Sequence, residues 1–530
     1  MSAAAAGEGP LVSVLMPVYE TDRRLLDEAI ESVRAQLYPH WELCIVNDGS
    51  PTPAVRRAIE HAAGRDDRIR AAFLPQNRGI AAATNEALGM AGGELVAFLD
   101  HDDLLAPEAL QRVAEELAAH PEADLLYTDE DKIGPDGRGA DPFLKPDWSP
   151  VYALGAMYVG HLLAVRRERL LEVGGADSAY DSIQDFELML RLTEQTGAVR
   201  HIPEVLYHWR AIPGSIAAGT SEKEGIEELQ ARAVNAHLER RGLPLRAAPH
   251  PRIPHRARLD GAPRRRVSAV VVAPGPSPRL QSCLESLRRH PEDEPDEVIV
   301  VSRGAAPADA GARWIDTGGP WHRSRALNLG ARAARGERLL FLAPTVEARA
   351  EGWLAHLCLV LEIPGVAAAG PVLERPGGEV SQAGQAIGLH DPLSPAHRGA
   401  RAGGDGYYGS LACAREVAAL DSECMLVARD AFDAAGGFRE EYRTQFEGAD
   451  LCMRLRREGL TAVCTPESRM VSHATAAERR AAFDVVDRAL FVDSWWDELS
   501  AGDPYYNPGL SRERADFTPE SALPPKMRMR

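Results

Sequence analysis

The chain lacks several features that would assign it to a protein class at once. It has seven cysteines in 530 residues, and none of them forms a Cys-x-x-Cys pair. This spacing argues against a disulfide framework or a zinc site and favours a reducing compartment. Basic residues are outnumbered, 60 to 78, which gives a net charge of −18. Nucleic acid and anionic lipid are therefore not expected as global electrostatic partners.

Signals for membrane insertion and secretion are also missing. The longest uncharged window, from Trp148 to Val165, contains Pro150, two glycines and His161, so it predicts a buried helix or a cleft wall. Residues 1–10 have neither a basic flank nor an apolar core, so we expect no secretory signal. These observations predict a cytoplasmic protein, with loose attachment to the inner face of the cell membrane as the alternative.

Three apolar runs near the start of the chain predict an α/β fold. They are Val12–Met16, Leu43–Val46 and Leu95–Leu99, and helical patterns separate them. This order predicts a parallel sheet whose ligand crevice lies at the carboxyl ends of its strands. No Gly-x-Gly-x-x-Gly follows the first run, which disfavours a dinucleotide fold of the dehydrogenase type. The length and the 45% apolar content fit about two to four domains.

Two carboxylates, Asp100 and Asp102, follow the third apolar run directly. Acids crowded at a strand end repel one another unless a cation lies between them. A divalent ion held by one or two carboxylates and by substrate phosphates would remove that repulsion. The alternative for an isolated Asp-x-Asp is a solvated turn in which Asp103 caps the helix that begins near Pro107.

An ordered series of short motifs occupies residues 11–240. The motifs are Pro17-Val18-Tyr19, Asn47-Asp48-Gly49-Ser50, Asn77-Arg78-Gly79, Phe98 to Asp103, Tyr127 to Lys132, Lys145 to Trp148, Gln184 to Leu188, and Leu206 to Arg210. As a set they resemble family 2 glycosyltransferases with the A-type, Rossmann-like nucleotide-sugar fold. Among these they are similar to the large bacterial transferases, often rhamnosyltransferase-like, that build O-antigens and other surface polysaccharides. The resemblance implies an inverting hexosyltransferase that takes a sugar from a nucleotide-diphosphate donor to a glycan or lipid-linked glycan acceptor.

The resemblance also implies a role for individual residues. Asp185 would be the general base that accepts a proton from the acceptor hydroxyl. Asp102 and His208 would ligate a divalent metal, Mn²⁺ or Mg²⁺. The implied donor-binding residues are Pro17, Tyr19, Asp48, Arg78, Asn85 and Asp100, and the implied acceptor-binding residues are Asp129, Asp131 and Trp148.

Structural alternatives stay open for several of these residues. Asp185 has the position of a helix cap, and Asp48 fits an Asx turn into a glycine. His208 fits a packed histidine between two aromatic residues, and Arg78 fits a solvated turn. The acidic run Asp129–Asp131 also reads as a solvated loop. The family motif has an acid before the base, whereas this chain has Gln184.

The second half of the chain repeats the first but lacks its acids. Asn85, Gly93-Glu94 and Phe98-Leu99 recur at one offset of 243 as Asn328, Gly336-Glu337 and Phe341-Leu342. In contrast, Asp100-His101-Asp102 corresponds to Ala343-Pro344-Thr345, Asn47-Asp48 to Ser302-Arg303, and Asp185 to Gly448. We therefore predict tandem domains, the second degenerate: a catalytic domain at 11–241, a Pro/Arg-rich linker at 242–265, a second domain at 266–495 and a C-terminal tail at 496–530.

Three functions remain in competition at this stage. The first is a metal-dependent inverting transferase with one working domain. The second is a bifunctional transferase whose second site uses unfamiliar residues, and the third is a non-catalytic protein that binds glycans or nucleotides. The sequence leaves open the donor base and sugar, the acceptor, the linkage and the oligomeric state.

Overall fold

The computed structural model describes residues 9–134, 139–211, 225–251, 253, 256–261, 265–304, 311–390 and 392–520. The chain forms two compact units. The first comprises Met1–Trp148, Met157–Arg241 and Pro249–Ala257, and the second comprises Ser149–Ala156, Gly242–Ala248 and Arg258–Arg530. The segment 149–156 is thus separated from its neighbours in sequence and belongs to the second unit.

The first half of the chain alternates strands and helices. Its strands are β1 (Val12–Val18), β2 (Trp41–Asn47), β3 (Ile69–Phe73), β4 (Leu95–Phe98), β5 (Leu104–Leu105), β6 (Leu125–Ile133), β7 (Gly139–Phe143), β8 (Leu163–Arg166) and β9 (Val199–Arg210). Its helices are α1 (Arg23–Arg34), α2 (Pro53–Ala63), α3 (Ile80–Met90), α4 (Ala109–Ala119), α5 (Pro150–Gly155), α6 (Arg167–Glu172), α7 (Gln184–Gln195) and α8 (Ile226–Arg240).

The first sheet has the strand order β3-β2-β1-β4-β8-β6-β9-β5, with β7 beside β6. Strands β1 to β4 are parallel to one another, as the apolar runs predict. The almost continuous burial of β1 and β2 fits a parallel sheet that is covered on both faces. Beyond β4 the sheet is mixed, because β8 runs antiparallel to both β4 and β6. The α/β prediction is confirmed.

The second half repeats this plan. Its strands are β10 (Arg246–Pro249), β11 (Ala257–Asp260), β12 (Val267–Ala273), β13 (Glu297–Ser302), β14 (Arg313–Asp316), β15 (Arg338–Leu342), β16 (Val346–Ala348), β17 (Val366–Glu374), β18 (Val380–Gln382), β19 (Gln385–Ile387), β20 (Leu393–Pro395), β21 (Arg415–Val417), β22 (Cys424–Ala428) and β23 (Thr461–Ser472). Its helices are α9 (Pro278–Leu287), α10 (Arg323–Ala333), α11 (Trp353–Val360), α12 (Arg429–Ala434), α13 (Glu447–Arg457), α14 (Ala476–Ala481), α15 (Val485–Ser494) and α16 (Trp496–Ala501).

The second large sheet has the order β14-β13-β12-β15-β22-β17-β23-β16. Position by position this is the order of the first sheet, with the same parallel core and the same antiparallel strand beside β15. The internal repeat in the sequence therefore corresponds to two copies of one topology, which agrees with tandem α/β domains.

The boundaries predicted from sequence stay predictions, although the structure adds detail to two of them. The linker 242–265 contains β10 and β11, which pair as a two-stranded sheet; its residues 252, 254, 255 and 262–264 lie outside the described residues. The tail contains α16, and its last ten residues, 521–530, also lie outside them. In the described part of the chain, no helix is both long and apolar enough to cross a bilayer.

Candidate active site

A pocket in the first unit opens where β1 and β4 end and where α3 and α7 begin. Among its lining residues are the carboxylates Asp100 and Asp185 and the ring of His161. The other lining residues are Pro17, Ile80, Thr84, Phe98, Leu99, Gly160, Leu163, Ala176, Gln184 and Leu188. Ligands of open α/β sheets bind at this edge. The structure thus brings together the predicted base, one acid of the Asp-x-Asp motif and Pro17, residues that are far apart in sequence.

Asp185 lies in the first turn of α7. Burial raises the pKa of its carboxyl above the ordinary value, and the charge of His161 counteracts that rise, whereas Asp100 adds to it. The position at a helix start is the one expected for a capping or dipole-stabilising acid. An acid that only capped the helix would not need to line a pocket. The position of Asp185 in the pocket wall therefore favours a role in the chemistry.

The two acids that follow Asp100 have different surroundings. Asp102 is half-buried, and its pKa is raised first by burial, with a further rise from the charge of Asp100. Asp103 is buried, and its carboxylate accepts from the Tyr207 hydroxyl (2.7 Å) and from the Arg210 backbone N–H (2.7 Å). Asp103 therefore ties the turn after β4 to β9, whereas the pKa of Asp102 stays raised although the charges of His101 and Arg210 lower it.

His208 lies on β9 beside the same turn, because it pairs with Leu104 of β5. Its Nδ1 is 2.6 Å from Oδ1 of Asp131, so only Nε2 remains as a metal ligand. Ligating histidines commonly bond a carboxylate through the other nitrogen. In this arrangement Asp131 orients His208, and its contact with an acceptor glycan stays a prediction.

The residues present would supply only some of the ligands that a divalent cation needs. Among the described residues, no group of three or more His, Cys, Asp or Glu side chains is placed so that it could hold a metal ion. Asp102 supplies a hard oxygen ligand. Burial and the neighbouring charge of Asp100 raise the pKa of its carboxyl, and a bound cation would favour the ionised form. Such a donor set fits a Mg²⁺-like or Mn²⁺-like ion whose remaining ligands come from substrate phosphates and water.

The residues predicted to hold the nucleotide form a loop bound to a strand end. Asp48 is buried, and its two carboxylate oxygens accept from the backbone N–H groups of Arg78 (2.7 Å) and Gly79 (2.9 Å). Gly79 has φ 93°, which favours glycine. The Arg78 side chain is exposed, and Tyr19 is 43% exposed. Asp48 thus shapes the loop before α3, and contact of these residues with a donor remains a prediction.

Asn85 has a different role from the predicted donor contact. Its Nδ2 donates to the Ala176 carbonyl and its Oδ1 accepts from the Ala176 N–H, both at 2.8 Å. Asn328, its counterpart in the second copy, makes the same two bonds to Phe438. The amide fastens α3 to the chain before α7 in both copies, so the donor contact predicted for Asn85 has no support in this geometry.

The acidic run 129–131 is a strand, not the predicted turn. All three residues lie on β6. Asp129 is 0% exposed, and its Oδ1 accepts from the Lys145 N–H (2.7 Å) and lies 2.9 Å from Nε2 of His201. A glycan cannot reach this carboxylate, so the predicted acceptor role of Asp129 is corrected to a structural one. The hydrogen-bond partners that permit its burial lie far away in sequence, so no local sequence pattern predicts them.

Trp148 is half-buried and stacks on Tyr158, with ring centroids 6.3 Å apart and an interplanar angle of 26°. It is not among the residues that line the pocket. Contact of Trp148 with an acceptor sugar remains a prediction that the pocket does not support.

Sequence reasoning missed two residues of the pocket as functional candidates. In the sequence His161 stands only in an uncharged window, because the carboxylate beside it, Glu130, is 31 positions upstream. In the sequence Gln184 is only a departure from a motif, yet it lines the pocket and its Oε1 is buried without a hydrogen-bond partner among the described residues. The uncharged window itself was the one available signal, since a lone polar ring in an apolar stretch needs a partner.

Comparisons with known proteins identify the family of the chain. The family model described as "Glycosyl transferase family 2" matches residues 13–162. The chain is 35% identical over 537 residues to the uncharacterized protein y4gI of Sinorhizobium fredii, covering 96% of this chain and 58% of that protein. It is 34% identical over 524 residues to the O-antigen biosynthesis protein RfbC of Myxococcus xanthus, covering 96% and 41%.

A shorter relative is matched over most of its own length. The putative teichuronic acid biosynthesis glycosyltransferase TuaG of Bacillus subtilis is 31% identical over 212 residues, which are 39% of this chain and 82% of that protein. In contrast, the chain spans only about half the length of the two longer relatives.

Proposed function

Because the chain belongs to glycosyl transferase family 2, we propose that its first unit is a metal-dependent, inverting glycosyltransferase of surface-polysaccharide synthesis. The donor is a nucleoside-diphosphate sugar, and the acceptor is a glycan, free or lipid-linked. One observation carries the proposal: Asp185 and Asp100 line the same pocket at the carboxyl edge of the first sheet. The relatives named for O-antigen and teichuronic acid biosynthesis support the substrate class.

Asp185 is the general base of the proposed reaction. Its carboxylate accepts the proton of an acceptor hydroxyl while that oxygen forms a bond to the anomeric carbon of the donor. The bond from the anomeric carbon to the diphosphate oxygen breaks on the opposite face, so the anomeric configuration inverts. Correct placement of such a base contributes roughly 10²- to 10⁴-fold to the rate.

Asp102 and Nε2 of His208 are the residues that would hold the divalent cation, with Asp131 fixing the histidine ring. A bound cation stabilises the negative charge that develops on the leaving diphosphate. Asp100 lines the pocket and is proposed to contact the donor. Pro17 forms an apolar part of the wall.

The second unit is proposed to have no transfer activity, because the counterparts of two pocket-lining residues form an internal ion pair. The offset of 243 puts Arg323 at the position of Ile80, and the correspondence of Asp185 with Gly448 puts Glu447 at that of Gln184. The Nε of Arg323 lies 2.7 Å from Oε1 of Glu447, and Ser422 also donates to Glu447. This internal ion pair replaces an open pocket wall, and the base position is Gly448. A structural or glycan-holding role fits the second unit better than catalysis.

Breaking that ion pair is expected to lower stability but not the turnover of folded enzyme. Arg323→Ile leaves the buried carboxylate of Glu447 without its cationic partner, which costs about 3 kcal/mol and lowers the melting temperature. The double variant Arg323→Ile with Glu447→Gln carries the residues of the first unit and should recover much of the loss. Calorimetry and transfer rates at 20 °C check this; a transfer rate that falls with the ion pair would contradict the inactive second unit.

A panel of nucleoside diphosphates, with and without Mn²⁺, tests the proposed function. A ligand stabilises the folded protein by RT ln(1 + [L]/Kd), so the correct base should raise the melting temperature at millimolar concentration, more with Mn²⁺ than without. Hydrolysis and transfer are then assayed with the sugar donors of that base. Binding without either reaction would favour the non-catalytic alternative, and residual transfer in the Asp102→Ala, Asp185→Ala double variant would favour a second catalytic centre.

A further inference from the structure

The ring of His161 in the pocket is held by a buried charge assembly. Its Nδ1 lies 3.3 Å from Oε2 of Glu130, which also accepts from the backbone N–H of His161 at 2.9 Å. The ring stacks on Tyr207, with centroids 4.7 Å apart and an interplanar angle of 20°. Lys145, which is 0% exposed, donates from Nζ to Glu130 (3.0 Å) and to the carbonyls of Val159 (2.6 Å) and His161 (2.5 Å).

This assembly is costly if stability is its only purpose. Buried ion pairs contribute little net stability, because desolvation of both charges offsets their attraction. The bonds from Lys145 to the two carbonyls and from the His161 N–H to Glu130 all converge on the chain that carries His161. The assembly therefore fixes one ring at the wall of the pocket that also contains Asp185.

We propose that His161 is a positioning residue for Asp185: its imidazolium, held by Glu130 and Lys145, keeps the carboxylate of the base ionised in a buried pocket. This inference rests on the proposed function and adds to it the residue that prepares the base.

The electrostatics of the pocket agree with this role. For His161, burial opposes protonation, but Glu130, followed by Asp100 and Asp103, raises its pKa to about 9. For Asp185, burial raises the pKa, His161 counteracts the rise, and Asp100 adds to it. His161 is thus cationic at neutral pH. Without it, Asp185 would need a higher pH to ionise.

The chain offers a matched control. His201 is also buried, lies 2.9 Å from a carboxylate oxygen of Asp129 and stacks on Tyr127, with centroids 4.7 Å apart. It does not line the pocket. A variant of His201 therefore disturbs the fold in a comparable way and leaves the surroundings of Asp185 intact.

The test compares pH profiles of kcat/KM for wild type, His161→Gln, His161→Lys and His201→Gln. Activity needs ionised Asp185, so it falls as pH drops through the pKa of that carboxyl. Loss of a neighbouring opposite charge raises this pKa by about one unit. At pH values below the pKa of Asp185, the kcat/KM of His161→Gln should therefore be roughly tenfold lower than that of wild type, and at higher pH it should return to the wild-type value. His161→Lys and His201→Gln should show the same fall of kcat/KM at low pH as the wild type. A pH-independent loss in His161→Gln, or an equal shift in either of the other two variants, would overturn the inference.

A second readout needs no turnover and separates the inference from the proposed function. Coupling between two titrating groups is reciprocal, so Asp185→Asn should lower the pKa of His161, followed by NMR of the labelled imidazole rings. Glu168→Gln, which removes an exposed acid elsewhere in the unit, should leave it unchanged. An unchanged His161 pKa in Asp185→Asn overturns the inference even if the enzyme transfers sugar. Absence of transfer with every donor, together with a shifted His161 pKa, would contradict the proposed function alone.

Discussion

Asp185→Asn is expected to reduce the kcat of sugar transfer by roughly 10²- to 10⁴-fold, with donor affinity unchanged. The amide has nearly the shape of the carboxylate but cannot accept the proton of the acceptor hydroxyl. Asp185 lines the pocket from the first turn of α7, and the proposed attack on the anomeric carbon starts there. Steady-state transfer rates and calorimetric titration with the nucleoside diphosphate separate the two effects.

A control is needed because Asp185 also stands at a helix start, where a negative charge stabilises the helix by about 0.3–1 kcal/mol. Glu168 is an exposed acid in the first turn of α6, in the same unit and outside the pocket. Glu168→Gln removes a comparable charge from a comparable position, so it should change stability slightly and kcat not at all. A similar drop in kcat for both variants, or a loss of donor binding in Asp185→Asn, would reject Asp185 as the base.

The parts of the fold that depend on local pattern were predictable from sequence. Apolar runs ending in polar turns locate β1, β2 and β4. The acid after β4 and the acid in the first turn of α7 line one pocket at the carboxyl edge of the sheet, where ligands of open α/β sheets bind. The motif order also predicts the family. These features depend on neighbours in sequence or on general rules of sheet topology.

The parts that failed depend on partners distant in sequence. Asp129 reads as a solvated acid until His201 and Lys145 are placed against it. Asn85 reads as a ligand contact until Ala176, 91 positions away, accounts for both of its polar groups. His161 carries no local sign of charge, because Glu130 and Asp100 come to it from other strands. Burial with a distant partner changes the meaning of a polar residue, and one sequence does not record such partners.

The two copies separate structural from chemical requirements within one molecule. The two hydrogen bonds from the side-chain amide of Asn85 to the backbone recur at Asn328, and the strand order of the first sheet recurs in full. The acids of the pocket do not recur, and an ion pair between Arg323 and Glu447 occupies the positions of Ile80 and Gln184. What both copies keep is needed to fold the sheet, whereas what only the first keeps is the set proposed for sugar transfer.

Asp102→Asn is expected to lower kcat/KM by roughly 10²- to 10³-fold, which corresponds to losing several kcal/mol of stabilisation of the leaving diphosphate. Asp102 is the acid of the motif whose raised pKa reflects burial and the charge of Asp100. Losing its oxygen ligand should also raise the Mn²⁺ concentration needed for half-maximal activity. Transfer rates measured over a Mn²⁺ titration give both quantities for each variant.

Asp103→Asn is the matched control, since Asp103 is the next acid in the same turn and bonds Tyr207 and Arg210 of β9. Its loss should lower the melting temperature but leave the half-saturating Mn²⁺ concentration unchanged in the folded protein. If both variants respond equally to Mn²⁺, the cation does not depend on Asp102. If Asp102→Asn keeps its activity in the presence of a chelator, the proposed transfer proceeds without a metal, and the charge of the leaving diphosphate must be balanced by other groups of the pocket.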